Sequence, residues 1–300
     1  LSMARLLLLA LLPLIRAAKP DFDEDLARNV MMPLSSAAYS KDPQPCLDFK
    51  MPGAKLSMRV EVPCDDIAED TCSAYTMIDT TRGRIGLVFR GTSTNEQLLD
   101  EIQTTLFENK TEYRDGGMTS PYFATAFDDL WFNSGIGADF LYLVNKYPTY
   151  KLLITGHSLG GSFASLATVH ILQNKLHPAD QTIFYSLGEP RTGDQEFADL
   201  LDKLTVSYRI VHDKDIIPHV PPMHVLGYEH HKYEVFYQND MSEGQKYTIC
   251  QTQEGPCSEK NGKDLVFKPD HLMYYNENLL HFGKNACMFS DPPTDETPTE

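Results

Sequence analysis

Residues 151–165 have the sequence KLLITGHSLGGSFAS, which predicts a strand, a sharp turn and a helix. The turn is the motif G-x-S-x-G, in which Gly156 and Gly160 flank Ser158. A serine on such a turn has a strained backbone, so the residues two before it and two after it must lack bulk. The turn raises the hydroxyl above the sheet, and the N–H groups that begin the helix favour negative charge beside it. A plain glycine-rich loop is the alternative, and only partners for the serine elsewhere in the chain argue against it.

Strand patterns and helix patterns alternate along the rest of the chain. The strand patterns lie at residues 85–89, 182–187 and 208–211, and the helix patterns at 122–146 and 193–204. Residues 75–78 and 85–89 also flank a turn at Gly83 and predict a hairpin. Pro33 predicts a kink or break in an early helix. No repeat or linker divides the body, so we predict one α/β domain over residues 19–290, with a mostly parallel central sheet flanked by helices.

The two ends of the chain differ from its body. Residues 1–18 combine Arg5, an apolar run and the small residues Ala17 and Ala18, which is typical of a secretory signal peptide; a buried N-terminal helix is the alternative. The run is too short to cross a bilayer, and no later segment is a candidate for a transmembrane segment. Residues 291–300 are acidic and proline-rich and predict a disordered tail. We therefore expect a secreted, extracellular protein.

Composition limits the partners. The formal charge of −16 argues against nucleic acid and against an anionic membrane surface, but it is compatible with a neutral substrate or a zwitterionic lipid surface. A hydrophobic content of 42% is typical of a globular protein rather than a disordered one. We expect a monomer. Asn109 begins the chain's N-glycosylation sequon, in a polar segment that predicts a surface loop.

Six cysteines agree with an oxidising compartment, and six cysteines allow fifteen disulfide pairings. The expected pairs are Cys64–Cys72 and Cys250–Cys257, which would close short loops, and Cys46–Cys287, which would join one end of the domain to the other. Neither short pair has the spacing of a zinc site, and we expect no metal. Four histidines without metal-site spacing are expected at the surface or behind the site: His219, His224, His230 and His231.

The serine needs a base, and the base needs a carboxylate to orient it. In hydrolase-type sheets the order along the chain is serine, acid, histidine. Asp213 and Asp215 both follow the strand pattern at 208–211, and the residues alone do not separate them. His271 lies in the turn-like stretch PDHL, which could present its imidazole to a cleft, whereas His281 follows two leucines and predicts a packing role.

Five motifs occur along the chain in the following order: VFRGT, GHSLGG, GEPRTG, DKDIIPHVPP and DHLMYY. Together they resemble the secreted fungal-type triacylglycerol lipase family, also called class 3 lipases, over residues 34–287. The resemblance implies an α/β-hydrolase-like fold and hydrolysis of carboxylic esters, typically acylglycerols, at lipid–water interfaces. It implies no cofactor.

The resemblance also implies roles for particular residues. Ser158 matches the nucleophile, His271 matches the base, and Asp215 matches the acid of the family's triad, which separates it from Asp213. The backbone N–H groups of Thr92 and Leu159 match the oxyanion hole. The pairs Cys46–Cys287 and Cys250–Cys257 resemble disulfides of the family.

The segment after Thr92 corresponds to the family's lid, and here it departs from the pattern. It is amphipathic, with Leu98, Leu99 and Ile102 on one helical face, but it is acidic and lacks tryptophan. This departure argues against strong interfacial activation. The family's breadth leaves an esterase of soluble or feruloyl-type esters, or a phospholipase, as the alternative enzyme. A non-catalytic lipid-binding protein is the alternative from another class.

Overall fold

The computed structural model describes residues 22–64, 71–91, 109–222, 226–251, 257–260 and 269–289. The expected signal peptide, Thr92, the amphipathic segment that follows it and the acidic tail lie outside the described residues.

The described strands, in chain order, are β1 (Ala54–Pro63), β2 (Thr71–Asp79), β3 (Arg84–Phe89), β4 (Thr111–Glu112), β5 (Met118–Thr119), β6 (Lys151–His157), β7 (Thr182–Leu187), β8 (Gly193–Asp194), β9 (Ser207–His212), β10 (Tyr228–Glu229), β11 (Tyr233–Tyr237), β12 (Thr248–Cys250), β13 (Met273–Tyr274) and β14 (Glu277–Asn278). Eight of them form a central sheet in the order β1-β2-β3-β6-β7-β9-β11-β12. The five strands from β3 to β11 are parallel, and antiparallel strands border them on both sides. The predicted hairpin is formed by β2 and β3.

The described α-helices are α1 (Glu24–Leu26), α2 (Met32–Ala37), α3 (Gln44–Lys50), α4 (Pro121–Asp128), α5 (Ile136–Lys146), α6 (Leu159–Gln173), α7 (Gln195–Leu204) and α8 (Leu279–Lys284). A π-helical turn, Ala27–Met31, joins α1 to α2 without a break. The predicted break at Pro33 therefore does not occur. Pro33 is the second residue of α2, directly after the π-helical turn, where the change in hydrogen-bond pattern accommodates a residue without an N–H.

Helices cover both faces of the central sheet because its strands are apolar on both sides. Along β6, Leu152 and Ile154 pack into the core formed with α4 to α7, whereas Leu153 packs into the core formed with α1 to α3 and α8. A strand buried on both faces needs an apolar residue at every position, which explains the continuous apolar runs in the sequence. The predicted α/β-hydrolase-like architecture, with a mostly parallel sheet between helices, is confirmed.

The described part of the chain contains three disulfides, and they are the three expected pairs. Cys46–Cys287 joins α3 to the segment after α8, across a sequence separation of 241 residues. Cys64–Cys72 and Cys250–Cys257 close loops with separations of 8 and 7 residues. The long bridge therefore fixes the first helical region against the last.

Candidate active site

The turn at Ser158 is as sharp as the motif predicts. β6 ends at His157, α6 begins at Leu159, and Ser158 between them has φ 59° and ψ −133°, in the left-handed range that side chains rarely adopt. A Cβ atom at Gly156 would lie 2.2 Å from the carbonyl oxygen of Gly160. One at Gly160 would lie 2.4 Å from the carbonyl oxygen of Phe89. Both positions therefore exclude every side chain, because the obstructing atoms belong to the backbone.

The Ser158 hydroxyl is buried, and its oxygen has no hydrogen-bond partner among the described residues. Its backbone is fixed instead: the Ser158 N–H donates to Leu187 at 2.9 Å, and the Gly161 N–H donates to the Ser158 carbonyl at 2.9 Å. The side chain is thus held in place at the N-terminal end of α6 and is available to react.

A buried histidine and a buried aspartate lie at the same edge of the sheet. His271 donates from Nδ1 to Asp215, whose two carboxylate oxygens are each 3.0 Å from that nitrogen. The Ile217 N–H donates to Asp215 Oδ1 at 2.9 Å, and the Tyr274 hydroxyl donates to Oδ2 at 2.7 Å. Three donors compensate for the burial of this charge. Because the Nδ1 of His271 carries the proton that Asp215 accepts, the ring is in the tautomer whose Nε2 can accept a proton.

The structure separates the two aspartates that the residues alone left tied. Asp215 is the one that contacts His271, whereas Asp213 is half-buried on the same loop and has φ 30°. The Asp213 N–H donates to the Tyr237 carbonyl at 2.7 Å, which anchors the loop to the end of β11.

Tyr274 and Gly188 belong to this site, and the sequence analysis assigned neither. A Cβ at Gly188, where φ is +59°, would lie 2.9 Å from Asp215 Oδ2 and from the Tyr274 hydroxyl, and 3.1 Å from His271 Cε1. The conformation and the close approach both require glycine. Tyr274 lies in the quoted stretch DHLMYY, but only the fold shows that it contacts the aspartate.

His157, the residue before the serine, connects two more parts of the site. Its Nε2 donates to the carbonyl oxygen of His271 at 2.8 Å, and the Tyr39 hydroxyl donates to its Nδ1 at 2.7 Å. Burial lowers the pKa of His157 well below its usual range, and the nearby His271 ring lowers it further, against a raising effect of the hydrogen bond to the His271 carbonyl. His157 is therefore neutral, and its ring lies against that of His271, with centroids 4.5 Å apart.

Leu159 is the first residue of α6, and the end of β3 approaches Ser158 from the other side. A Cβ at Gly91 would lie 2.6 Å from the His157 carbonyl oxygen and 2.9 Å from Ser158 Cβ. Thr92, the other expected oxyanion residue, follows Gly91 directly but lies outside the described residues.

Other predicted residues lie away from this constellation. Asn109 is exposed, as its surface-loop setting predicts. His219, His230 and His231 are buried, which excludes the surface alternative for them, and each makes a hydrogen bond within the protein; His224 is outside the described residues. Within the part of the chain that the structure describes, no cluster of three metal-ligating side chains occurs, and no helix is long and apolar enough to cross a membrane.

Comparison with known proteins identifies relatives of this chain. Residues 86–225 match the family model described as Lipase (class 3). A lipase of Caenorhabditis elegans is 30% identical to this chain, over 91% of this chain and 86% of its own length. A lipase of Rhizopus niveus is 30% identical over 69% of this chain and 51% of its own length, so the chain spans about half of that relative.

A solved structure shows the likeness in fold. The triacylglyceride lipase of Rhizomucor miehei superposes with a TM-score of 0.73 at 21% sequence identity, covering 87% of this chain and 97% of that structure. At this identity the similarity supports the architecture alone.

Proposed function

The chain belongs to the class 3 lipase family, and from this premise we propose that it is a secreted lipid ester hydrolase that cleaves acylglycerols through an acyl-enzyme on Ser158. The observation that carries the proposal is the hydrogen bond from His157, next to Ser158, to the backbone of His271, which is itself paired with Asp215. The nucleophile elbow, which is the turn from Gly156 to Gly160 that carries Ser158, thus lies next to the buried His271–Asp215 pair.

The chemistry follows from this arrangement. The Ser158 hydroxyl attacks the ester carbonyl while His271 Nε2 takes its proton, and Asp215 holds the ring in the productive tautomer and stabilises its positive charge. The backbone N–H groups of Leu159 and Thr92 stabilise the oxyanion, and one such donor contributes about 3–4 kcal/mol in a serine protease. His271 then protonates the leaving alcohol. Water releases the acid through the same histidine in a second cycle.

Triacylglycerols are the proposed substrates, at a lipid–water interface. A relative supports the acylglycerol class: a secreted mono- and diacylglycerol lipase of Fusarium solani is 27% identical over 56% of this chain. The apolar sequence positions Leu98, Leu99 and Ile102 support contact with lipid. The disulfides are consistent with an extracellular location, and residues 1–18 support secretion with signal cleavage.

Ser158→Ala is the direct test. Removing the nucleophile should lower kcat by about 10⁶-fold, the size of loss measured when a protease loses its catalytic serine. It should also abolish labelling by a fluorophosphonate probe while leaving thermal unfolding unchanged. Full labelling of the variant would remove Ser158 from the role.

The substrate class needs its own measurement with the wild-type protein. Rates on emulsified triacylglycerol, emulsified phospholipid and a short soluble ester should be highest on the triacylglycerol and should rise above its solubility limit. Higher rates on the soluble ester at all concentrations would replace the lipase proposal with a soluble-ester esterase.

A further inference from the structure

His271 is the member of the triad that the central sheet does not hold. Ser158 follows β6 and Asp215 follows β9, and both strands have neighbours on each side. His271 instead lies in a turn before the two-residue strand β13, which pairs with β14. Something other than the sheet must therefore fix the position of its ring.

Two buried histidines contact the backbone of this turn. His157 Nε2 donates to the His271 carbonyl at 2.8 Å, and His212 Nδ1 donates to the preceding carbonyl, that of Asp270, at 3.1 Å. The other nitrogen of His212 lies 2.9 Å from the Asn239 carbonyl oxygen, so both ring nitrogens face backbone acceptors. In the tautomer that carries its proton on Nδ1, His212 donates to the Asp270 carbonyl. Two consecutive peptide groups of the turn are held in this way.

The two histidines lie close in sequence to the other two triad residues. His157 is the residue immediately before Ser158, and His212 ends β9, three residues before Asp215. The Lys214 N–H adds a bond from the Asp215 loop to the Asp270 carboxylate, at 3.1 Å. Ser158 and Asp215, which the sheet holds, are thus each preceded at close range by a histidine whose side chain contacts the turn that carries His271.

We propose that His157 and His212 are positioning residues for His271, a paired clamp that sets the base against both Ser158 and Asp215. The proposal rests on the proposed function, because it assigns His271 as the base. Without the clamp the turn shifts, and the His271 ring is no longer placed to contact Ser158 and Asp215 at the same time. A misplacement of about 1 Å in a catalytic group lowers a rate by about 10²-fold.

The test uses the full chain and four variants, with a short soluble ester as substrate. His157→Phe and His212→Phe keep a ring but remove the donors, while His157→Gln and His212→Gln keep an amide donor. Each Phe variant should lower kcat by about 10²-fold with little change in KM, because substrate contacts remain. Each Gln variant should recover part of the loss. Equal kcat in the Phe variants and the wild type would overturn the proposal.

His177→Phe is the matched control. His177 is also buried and donates to a backbone carbonyl, that of Tyr150 at 3.1 Å, but it lies where β6 and β7 begin, at the opposite edge of the sheet. It should change the melting temperature without changing kcat. A loss of kcat equal to that of the clamp variants would mean that any buried histidine has this effect, and would overturn the proposal.

The same substitutions in a His271→Ala background separate positioning from a general effect on the fold. A clamp that acts only through His271 has nothing left to position there, so His157→Phe and His212→Phe should cause no further loss of the residual activity. A further loss of the same factor as in the wild type would contradict the proposal. Full activity of His271→Ala itself would instead refute the proposed function.

A conservative variant covers the case in which a Phe variant does not fold. Tyr39→Phe removes the hydroxyl that donates to His157 Nδ1 and leaves both histidines in place. It should lower kcat, by less than His157→Phe, and this effect should vanish in the His271→Ala background. Wild-type kcat in Tyr39→Phe would overturn the part of the proposal that concerns His157.

Discussion

Asp215 shows how the fold accommodates a carboxyl group that water cannot reach. It is fully buried, and its partners are the His271 ring, the Ile217 N–H and the Tyr274 hydroxyl. These three donors fix the direction of both carboxyl oxygens. The Asp215 side chain can therefore hold the His271 ring in one orientation.

Asp215→Asn should lower kcat by about 10⁴-fold, the loss measured when a serine protease loses tautomer control of its histidine. Asp213→Asn is the control, since Asp213 is half-buried on the same loop and Asp215 is the residue that contacts His271. Its kcat should stay near the wild-type value. If the Asp213 variant lost more activity than the Asp215 variant, the assignment of the acid would be wrong.

At the scale of an element, β6 and α6 approach each other and β3 so closely that the elbow has no room for side chains. The carbonyl of Phe89 at the end of β3 lies where a Cβ on Gly160 would be, and Gly91 beyond it packs against Ser158 Cβ. The elbow and the residue before Thr92 are thus fixed by one set of backbone contacts. A disturbance at Gly160 is transmitted to both.

Gly160→Ala should therefore destabilise the protein by about 1–3 kcal/mol, the usual effect of overpacking, and should also lower kcat. Its added methyl meets backbone atoms, which cannot move aside. Gly86→Ala in β3 is the control, because its methyl would meet the Met77 side chain rather than backbone atoms. Denaturant unfolding and kcat would be measured for both. Unchanged kcat in Gly160→Ala would show that the contact is dispensable.

Glu259, in the described segment 257–260, contacts two buried side chains on the loops that follow β7 and β9. The buried Arg191 side chain contacts Glu259 and donates to the Pro221 carbonyl at 2.7 Å, and His219 lies 3.2 Å from the same carboxylate. Burial by itself would raise the pKa of Glu259, but hydrogen bonds and charges from His219 and Arg191 lower it to about 2. This group joins the 3₁₀ turn Ile217–His219 to the described segment 257–260.

Glu259 should therefore make stability depend on pH. Because its pKa is 4.5 when unperturbed and about 2 in the folded state, its contribution is full above pH 4.5 and is lost as the pH falls toward 2. Glu259→Gln should lower the free energy of unfolding at pH 6 by at most about 3 kcal/mol, and by about half as much at pH 3. Glu243→Gln, at an exposed position, is the control. A difference that is equal at both pH values would contradict this account.

The whole molecule is an eight-stranded sheet between two helical layers, closed by a link between its ends. Cys46–Cys287 joins α3 to the segment after α8, and α2 packs against α8 in the same layer. The helices at the two ends of the described chain thus form one layer. That layer covers the face of the sheet opposite α6.

Replacing both cysteines of this bridge by serine should lower the free energy of unfolding by about 5 kcal/mol, because the chain-entropy model predicts larger effects for longer loops. Replacing Cys64 and Cys72, only 8 residues apart, should lower it by about 2–3 kcal/mol in the same model. Urea unfolding compares the two double variants. Equal losses would mean that local packing, not the length of the closed loop, governs the effect.

Features that depend on local chemistry and on the order of residues could be predicted from the sequence alone. The elbow follows from glycines at fixed distances from Ser158, and the fold class follows from continuous apolar runs between helical patterns. The two short disulfides follow from the spacing of their cysteines, and Cys46–Cys287 is the pair that remains. The family follows from five motifs in order. Fold class and family are confirmed, while the roles of Ser158, Asp215 and His271 stay predictions that the geometry supports.

Which distant side chains share an environment depends on the packing of the fold. The packing brings Tyr274 and Gly188 against Asp215, buries three histidines for which the sequence left the surface and the interior open, and sets His157 and His212 on consecutive carbonyls of the His271 turn. The hydrogen bonds of Tyr274, His157 and His212 join residues more than 50 positions apart, and no local pattern encodes them. A hydrogen bond of this kind depends on where two loops meet, and that is fixed by the packing of the strands and helices that carry them.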